Sequence, residues 1–124
     1  MINFFRYQQT DLYRLKKSIN QKWKSNRNLD RDIFVETYGL LKLEKMISML
    51  YKIQNRKDIN IVPIINVMKQ ILDILTEDSD TVDKKRALDF LDNLETELNE
   101  LISRKKPITM HNITSMIHDW EELS

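Results

Sequence analysis

The chain contains no cysteine, which excludes disulfide bonds and zinc sites built on thiolates. It has one glycine and two prolines among 124 residues. Because turns and loops draw heavily on both residue types, their scarcity favours helices joined by short connections. A single glycine also excludes the glycine-rich loops that bind phosphate groups. The sequence therefore predicts an all-α protein without a nucleotide-binding loop.

Long apolar runs are absent as well. No stretch approaches the roughly 18–20 apolar residues of a membrane span, and the N-terminal segment lacks the apolar core of a secretory signal. We therefore expect a cytoplasmic protein that makes no membrane contact. With 31% charged and 41% hydrophobic residues, the composition is that of a folded chain. Its length predicts one domain, residues 1–124.

Apolar residues recur at three- and four-residue spacings along most of the chain, which indicates amphipathic helices. The pattern predicts five helices, over about 3–26, 31–54, 61–75, 81–104 and 110–123. Asp30 or Asp32 is placed to cap the second helix, and Thr109 to cap the fifth. Because the loops are short, we expect a compact and mostly antiparallel bundle.

The second helix raises a question of continuity and burial. Gly39 lies inside its apolar pattern, where glycine costs up to about 1 kcal/mol relative to alanine. Either another helix packs closely at Gly39, or the helix is bent or divided there, which gives six helices. Leu40, Leu41, Met49 and Tyr51 widen the apolar stripe. A helix this apolar is expected to be central, with neighbours on several sides.

Charge is segregated along the chain. Residues 1–28 carry seven Lys/Arg against one acid, a local charge of about +6, and residues 73–100 carry ten acids against three bases, about −7. The formal net charge of +1 hides this separation. Oppositely charged surfaces orient a partner and speed its association, so the pattern favours a macromolecular binding protein.

The basic first helix is a candidate surface for nucleic acid or for an acidic partner. Lys and Arg neutralise phosphates, and aromatic side chains stack on bases. The residues assigned to this surface are Arg6, Arg14, Lys16, Lys17, Lys24 and Arg27. Tyr7, Tyr13 and Trp23 lie among them. Two alternatives stay open: this face is solvated, or the acidic fourth helix lies beside it and neutralises it.

The fourth helix is a candidate surface for a basic partner. Its acids lie on the predicted outer face, where carboxylates dock basic groups or mimic phosphates. The residues assigned to this surface are Asp89, Asp92, Glu95 and Glu100. An acidic outer face also keeps a helix soluble, which is the simpler interpretation.

No catalytic constellation is evident. His111 and His118 are seven residues apart, about 10.5 Å along a helix, which is too far for both to bind one ion. The acidic run over 78–83 lacks the glycine and the glutamate that a calcium loop requires, and helix capping accounts for it. We expect no metal, no cofactor and no enzymatic activity.

Arg104 and His111 bracket six residues. This spacing resembles the R-x(4–6)-H element of HEPN ribonucleases, a family of small helical proteins. In that family the arginine and the histidine approach a scissile phosphate across a dimer. The resemblance covers these two residues and implies RNA cleavage by them.

The preferred hypothesis is a small non-catalytic interaction protein, an accessory subunit or regulator. It would bind another protein or protein complex through helix faces and charged surfaces. The alternative is a small helical subunit of a nucleoprotein complex that binds nucleic acid with its basic first helix. A HEPN-like ribonuclease is the third hypothesis.

Overall fold

The computed structural model describes residues 4–25, 33–56, 59–77, 80–104 and 107–123. These residues contain five helices and no strand: α1 (Phe4–Ser25), α2 (Ile33–Ile53), α3 (Val62–Thr76), α4 (Thr81–Arg104) and α5 (Pro107–Leu123). The predicted all-α fold is confirmed. No helix in this part of the chain combines the length and the apolar composition that crossing a lipid bilayer requires.

Buried apolar side chains from all five helices form one cluster. α3 lies at its centre, packed against α1, α2, α4 and α5. α2 packs against α1, α3 and α4, whereas α1 and α5 lie at opposite edges of the bundle. The central position of α3 follows from its composition. It is the most apolar of the five helices, so it has the most side-chain surface to bury against neighbours.

α2 passes Gly39 without interruption, so the alternative with six helices is wrong. A Cβ atom at this position would clash with the side chain of Leu75 in α3 and would lie 3.3 Å from Cδ2 of Leu88 in α4. Three helices therefore meet at Gly39. Close approach of neighbouring helices explains a residue of poor helix propensity in the middle of a long helix.

α2 and α4 run in the same direction. Glu36 and Lys84 form an ion pair of 3.8 Å near the two helix starts, and the Arg56 guanidinium donates to the carbonyl of Leu101 at 2.9 Å near the two ends. The prediction of mostly antiparallel neighbours does not describe this pair. The two helices are separated in sequence by α3, which carries the chain back between them.

α5 begins at Pro107, two residues before the predicted capping residue Thr109. The predicted bounds, about 81–104 for the fourth helix and 110–123 for the fifth, left Pro107 in the connection between them. A proline suits the first turn of a helix, because its backbone angle is already helical and the missing N–H removes no intrahelical bond. Asp30 and Asp32, the predicted caps of α2, lie outside the described residues.

Candidate interaction surfaces

Three basic side chains of α1 lie on its solvent side. Arg14, Lys16 and Lys17 are exposed, and Tyr13 among them exposes 59% of its surface. Within the described residues, α1 packs against α2 and α3 and does not contact α4. The alternative in which the acidic helix neutralises this face is therefore wrong for these residues. Outside the described side chains are Arg6, Lys24 and Arg27.

In the part of the chain that the structure describes, α1, α3 and α4 pack against α2 and leave one side of it uncovered. We call this side the α2 face; its residues are Phe34, Tyr38, Leu41, Lys45, Ser48 and Lys52. Three- and four-residue spacing places them along one stripe. The sequence pattern placed Leu41 and Tyr51 in a broad apolar stripe, but they expose 55% and 37% of their surface. The prediction that α2 has neighbours on several sides is confirmed, but the residues that widen its apolar stripe are not all buried.

A cleft of about 220 Å³ opens between α1 and α2. Its lining residues are Lys16, Ile19 and Asn20 of α1 with Glu44, Ile47, Ser48 and Tyr51 of α2. Ile19 and Ile47 are buried and form an apolar floor, whereas the polar residues form the rim. The volume exceeds the roughly 30 Å³ share of one water. It falls below the roughly 300 Å³ of the smallest drug-sized sites, so the cleft accommodates one ring-sized group.

Glu44 lies at the rim of this cleft in a fixed position. The indole N–H of Trp23 donates to its Oε1 at 2.6 Å, which ties α1 to α2. A carboxylate has a second acceptor oxygen, so Glu44 is also able to accept a hydrogen bond from a group in the cleft. Glu44 is the one acid among the cleft-lining residues.

A polar network joins α2 to α4. Lys42 donates to Oδ1 of Asp92 at 2.5 Å and lies 3.7 Å from Oε1 of Glu95. The Tyr38 hydroxyl also donates to Asp92, at 3.0 Å, and Lys45 pairs with Glu95 at 3.6 Å. Asp92 and Glu95 were placed on the outer face by the sequence. In the structure they contribute to the contact between two helices.

The network shifts the pKa values of its central pair. Partial burial lowers the pKa of Lys42, but its bonds to Asp92 and Tyr38 and the charge of Glu95 outweigh burial and leave that pKa above the ordinary 10.5. The hydrogen bond from Lys42 lowers the pKa of Asp92 below 3.8. Both groups are therefore charged near neutral pH. Of the other predicted acidic residues, Asp89 is exposed and Glu100 is half-buried.

A second cleft, of about 270 Å³, lies between α4 and α5. Its floor is an aromatic pair, Phe90 and Trp120, with ring centroids 4.9 Å apart. The Arg86 guanidinium stacks over the Trp120 ring at 4.8 Å, and the indole N–H donates to Gln70 of α3 at 3.1 Å. Trp120 is buried. These contacts attach α5 to α3 and α4.

The residues of the HEPN resemblance lie on different helices. His111 is exposed on α5, and the side chain of Arg104, at the end of α4, lies outside the described residues, so this hypothesis stays a prediction. His118 is exposed too, and its Nε2 lies 3.0 Å from Oε1 of Glu122. The described residues contain no group of three or more side chains able to hold a metal ion.

Comparison with known proteins gives no match, whether to a family, to a curated protein or to a solved structure. The surfaces themselves are therefore the basis on which a function is inferred.

Proposed function

We propose that this protein is a non-catalytic interaction protein, an accessory subunit or regulator that binds another macromolecule through helix faces and charged surfaces. The α2 face supports this proposal best. Phe34, Tyr38 and Leu41 expose 88%, 48% and 55% of their surface within two turns of one helix. Burying apolar surface is favourable by about 25 cal/mol per Å². A partner that covers this stripe would gain affinity from it.

Charged residues on the two sides of the α2 face would orient a bound partner. α1 lies on one side with the exposed Lys17, and α4 lies on the other with the exposed Asp89. A partner that approaches the α2 face meets positive charge at one edge and negative charge at the other. Such a pattern fixes orientation and raises the association rate more than it raises affinity.

The test is a copurification from cells of the source organism with quantitative mass spectrometry. The variant Phe34→Asp with Leu41→Asp introduces charge into the apolar stripe, and we expect it to lose specific partners that the wild type retains. Val82→Asp is the control, because Val82 is 70% exposed at the start of α4 and is not a residue of the α2 face. Identical sets of partners for the wild type and the double variant would contradict the proposal.

Binding of nucleic acid is the second candidate function. The observation that favours it is the exposed basic side of α1 at Arg14, Lys16 and Lys17, which α4 does not cover in the described structure. Lys52 is exposed on the neighbouring α2 face and adds to the same charge. Lysine and arginine side chains that neutralise phosphates release bound counterions, so such binding weakens steeply with salt.

Fluorescence anisotropy with labelled oligonucleotides over a salt series tests this candidate. For single strands, the slope of log affinity against log salt is about −0.7 per neutralised phosphate. We expect Lys17→Glu to weaken binding about tenfold. It should also make the salt slope shallower by the contribution of about one neutralised phosphate. Lys85→Glu is the control, since it makes the same charge change at an exposed lysine on α4. Absence of binding by the wild type at low salt would eliminate this candidate.

A further inference from the structure

We propose that the cleft between α1 and α2 binds one base of a single-stranded nucleic acid whose phosphates lie along the basic side chains on both sides of the cleft. This inference rests on the nucleic-acid-binding candidate described above. It specifies the place where the nucleic acid binds, that the nucleic acid is single-stranded, and which bases it prefers.

Lysines lie on both sides of the cleft. On α1, Lys16 lines the cleft and Lys17 follows it, both exposed. On α2, Lys52 follows the cleft residue Tyr51 and is exposed. The sequence revealed only the α1 half, because the two halves come together only when the helices pack. Exposed positive charge on both helices that form a narrow cleft matches a chain with repeated negative charge.

The interior of the cleft suits a flat ring. Its apolar floor consists of Ile19 and Ile47, and Tyr51 at the rim remains 37% exposed. An exposed aromatic side chain beside an apolar floor provides a stacking surface for a base. In a duplex the bases are stacked and paired, so only an unstacked base of a single strand is able to enter.

Polar groups at the rim define a base preference. The Glu44 carboxylate only accepts hydrogen bonds, and the indole N–H of Trp23 holds its Oε1 at 2.6 Å. Asn20 and Ser48 both donate and accept. Cytosine, adenine and guanine carry an exocyclic amino group with two N–H donors for a carboxylate, whereas thymine and uracil offer only the ring N3–H. The cleft therefore favours bases that carry an amino group.

The binding experiment uses labelled single strands of about 12 nucleotides, within the site sizes of single-strand-binding domains. The probes are oligocytidine, oligothymidine and an abasic strand of the same length, with RNA versions to separate the two sugars. The abasic strand keeps the phosphates and lacks the bases. We expect the wild type to bind oligocytidine about tenfold more tightly than the abasic strand, since one stacked base gives a gain of this size.

Variants at exposed positions then locate the base. Ser48→Trp fills the mouth of the cleft, and we expect it to bind oligocytidine as weakly as the abasic strand with an unchanged salt slope. Tyr51→Ala should show a smaller loss, and Val82→Ala is its control, since it truncates an exposed apolar side chain on α4 that does not line the cleft. Glu44→Gln should reduce the preference for cytosine over thymine, because an amide also donates. Circular dichroism confirms that each variant folds.

The outcomes separate the two levels of the proposal. A wild type that binds no strand at low salt overturns the nucleic-acid candidate and the cleft inference together. Equal affinity for oligocytidine and the abasic strand overturns the cleft inference alone. Base-dependent binding that Ser48→Trp leaves unchanged places the base elsewhere and also overturns it. Base-dependent binding lost in Ser48→Trp and kept in Val82→Ala supports it.

Discussion

At the scale of single residues, Lys42 shows how a charge is kept in a partly covered position. Its side chain retains 15% of its exposure, and covering a lysine favours the neutral form. The hydroxyl of Tyr38 and the carboxylates of Asp92 and Glu95 compensate for this cost. Lys42 lies on the α4 side of α2, so the carboxylates that a linear reading places on the surface are those that stabilise it.

The Asp92 pKa gives the first prediction, a change in the acid dependence of stability. Because its folded pKa is lowered, the ion pair stabilises the protein above about pH 3.8 and this contribution is lost as the pH falls through the folded pKa. The Asp92 side chain is 47% exposed, so solvent screening limits the effect to about 0.5–1 kcal/mol at neutral pH. Asp92→Asn should lower the free energy of unfolding by this amount at pH 7. Below the folded pKa of Asp92 the wild-type carboxyl is protonated, so the substitution should leave the free energy of unfolding unchanged there.

Urea unfolding at a series of pH values measures this difference. Asp89→Asn is the control, because Asp89 is an exposed carboxylate on the same helix. An Asp92→Asn curve that stays parallel to the wild-type curve down to the lowest pH would show that the bond with Lys42 does not contribute to stability.

At the scale of helices, the contact at Gly39 gives the second prediction. Gly39→Ala gains up to about 1 kcal/mol of helix propensity. It also forces a methyl group into the buried side chain of Leu75, and overpacking of a core costs about 1–3 kcal/mol. We expect a net loss of about 1 kcal/mol in the free energy of unfolding. Ser48→Ala, on the uncovered side of the same helix, gains propensity without a clash and is the control.

A double-mutant cycle identifies the cause. In a Leu75→Val background, which shortens the opposing side chain, Gly39→Ala should cost less than in the wild type. An equal cost in both backgrounds would show that the backbone of α2 at Gly39, and not its contact with Leu75, requires glycine.

The helices themselves were predictable from sequence, because apolar periodicity is a local property of the chain. The five predicted segments agree with α1 to α5 to within a few residues. The start of α5 was missed because Pro107 is compatible with either a helix end or a first turn. The shared direction of α2 and α4 was missed because loop lengths constrain only helices that are consecutive in the chain.

The candidate site was predictable only in its α1 half. Arg14, Lys16 and Lys17 are close in sequence, so their charge is visible in a linear reading. Tyr51 and Lys52 belong to a helix whose apolar pattern obscures its one uncovered side. Their position beside Lys16 depends on how α1 crosses α2, which is a tertiary property that periodicity does not contain.

At the scale of the whole molecule, one apolar cluster links both edges of the bundle. The two tryptophans report these edges separately. Trp23 bonds to Glu44 where α1 meets α2, and Trp120 bonds to Gln70 where α5 meets α3. A shared core predicts that the edges unfold together, as in a small two-state protein.

Single-tryptophan variants provide the third prediction. Trp120→Phe leaves Trp23 as the reporter, and Trp23→Phe leaves Trp120. In urea, the emission of each variant should change in the same transition as its own far-ultraviolet circular dichroism. A fluorescence transition of Trp120 that precedes the loss of helical signal would instead make α5 a separate unit that opens first.

The crowding around Gly39 has an evolutionary consequence. Because the side chains of Leu75 and Leu88 fill the space beside it, a larger residue at position 39 is tolerated only with a smaller one opposite. Among related sequences, positions 39, 75 and 88 should therefore covary in volume, with alanine or serine at 39 accompanied by valine or alanine at 75. This triad offers an internal marker by which distant relatives of the chain are recognised, even where their surface charges have diverged.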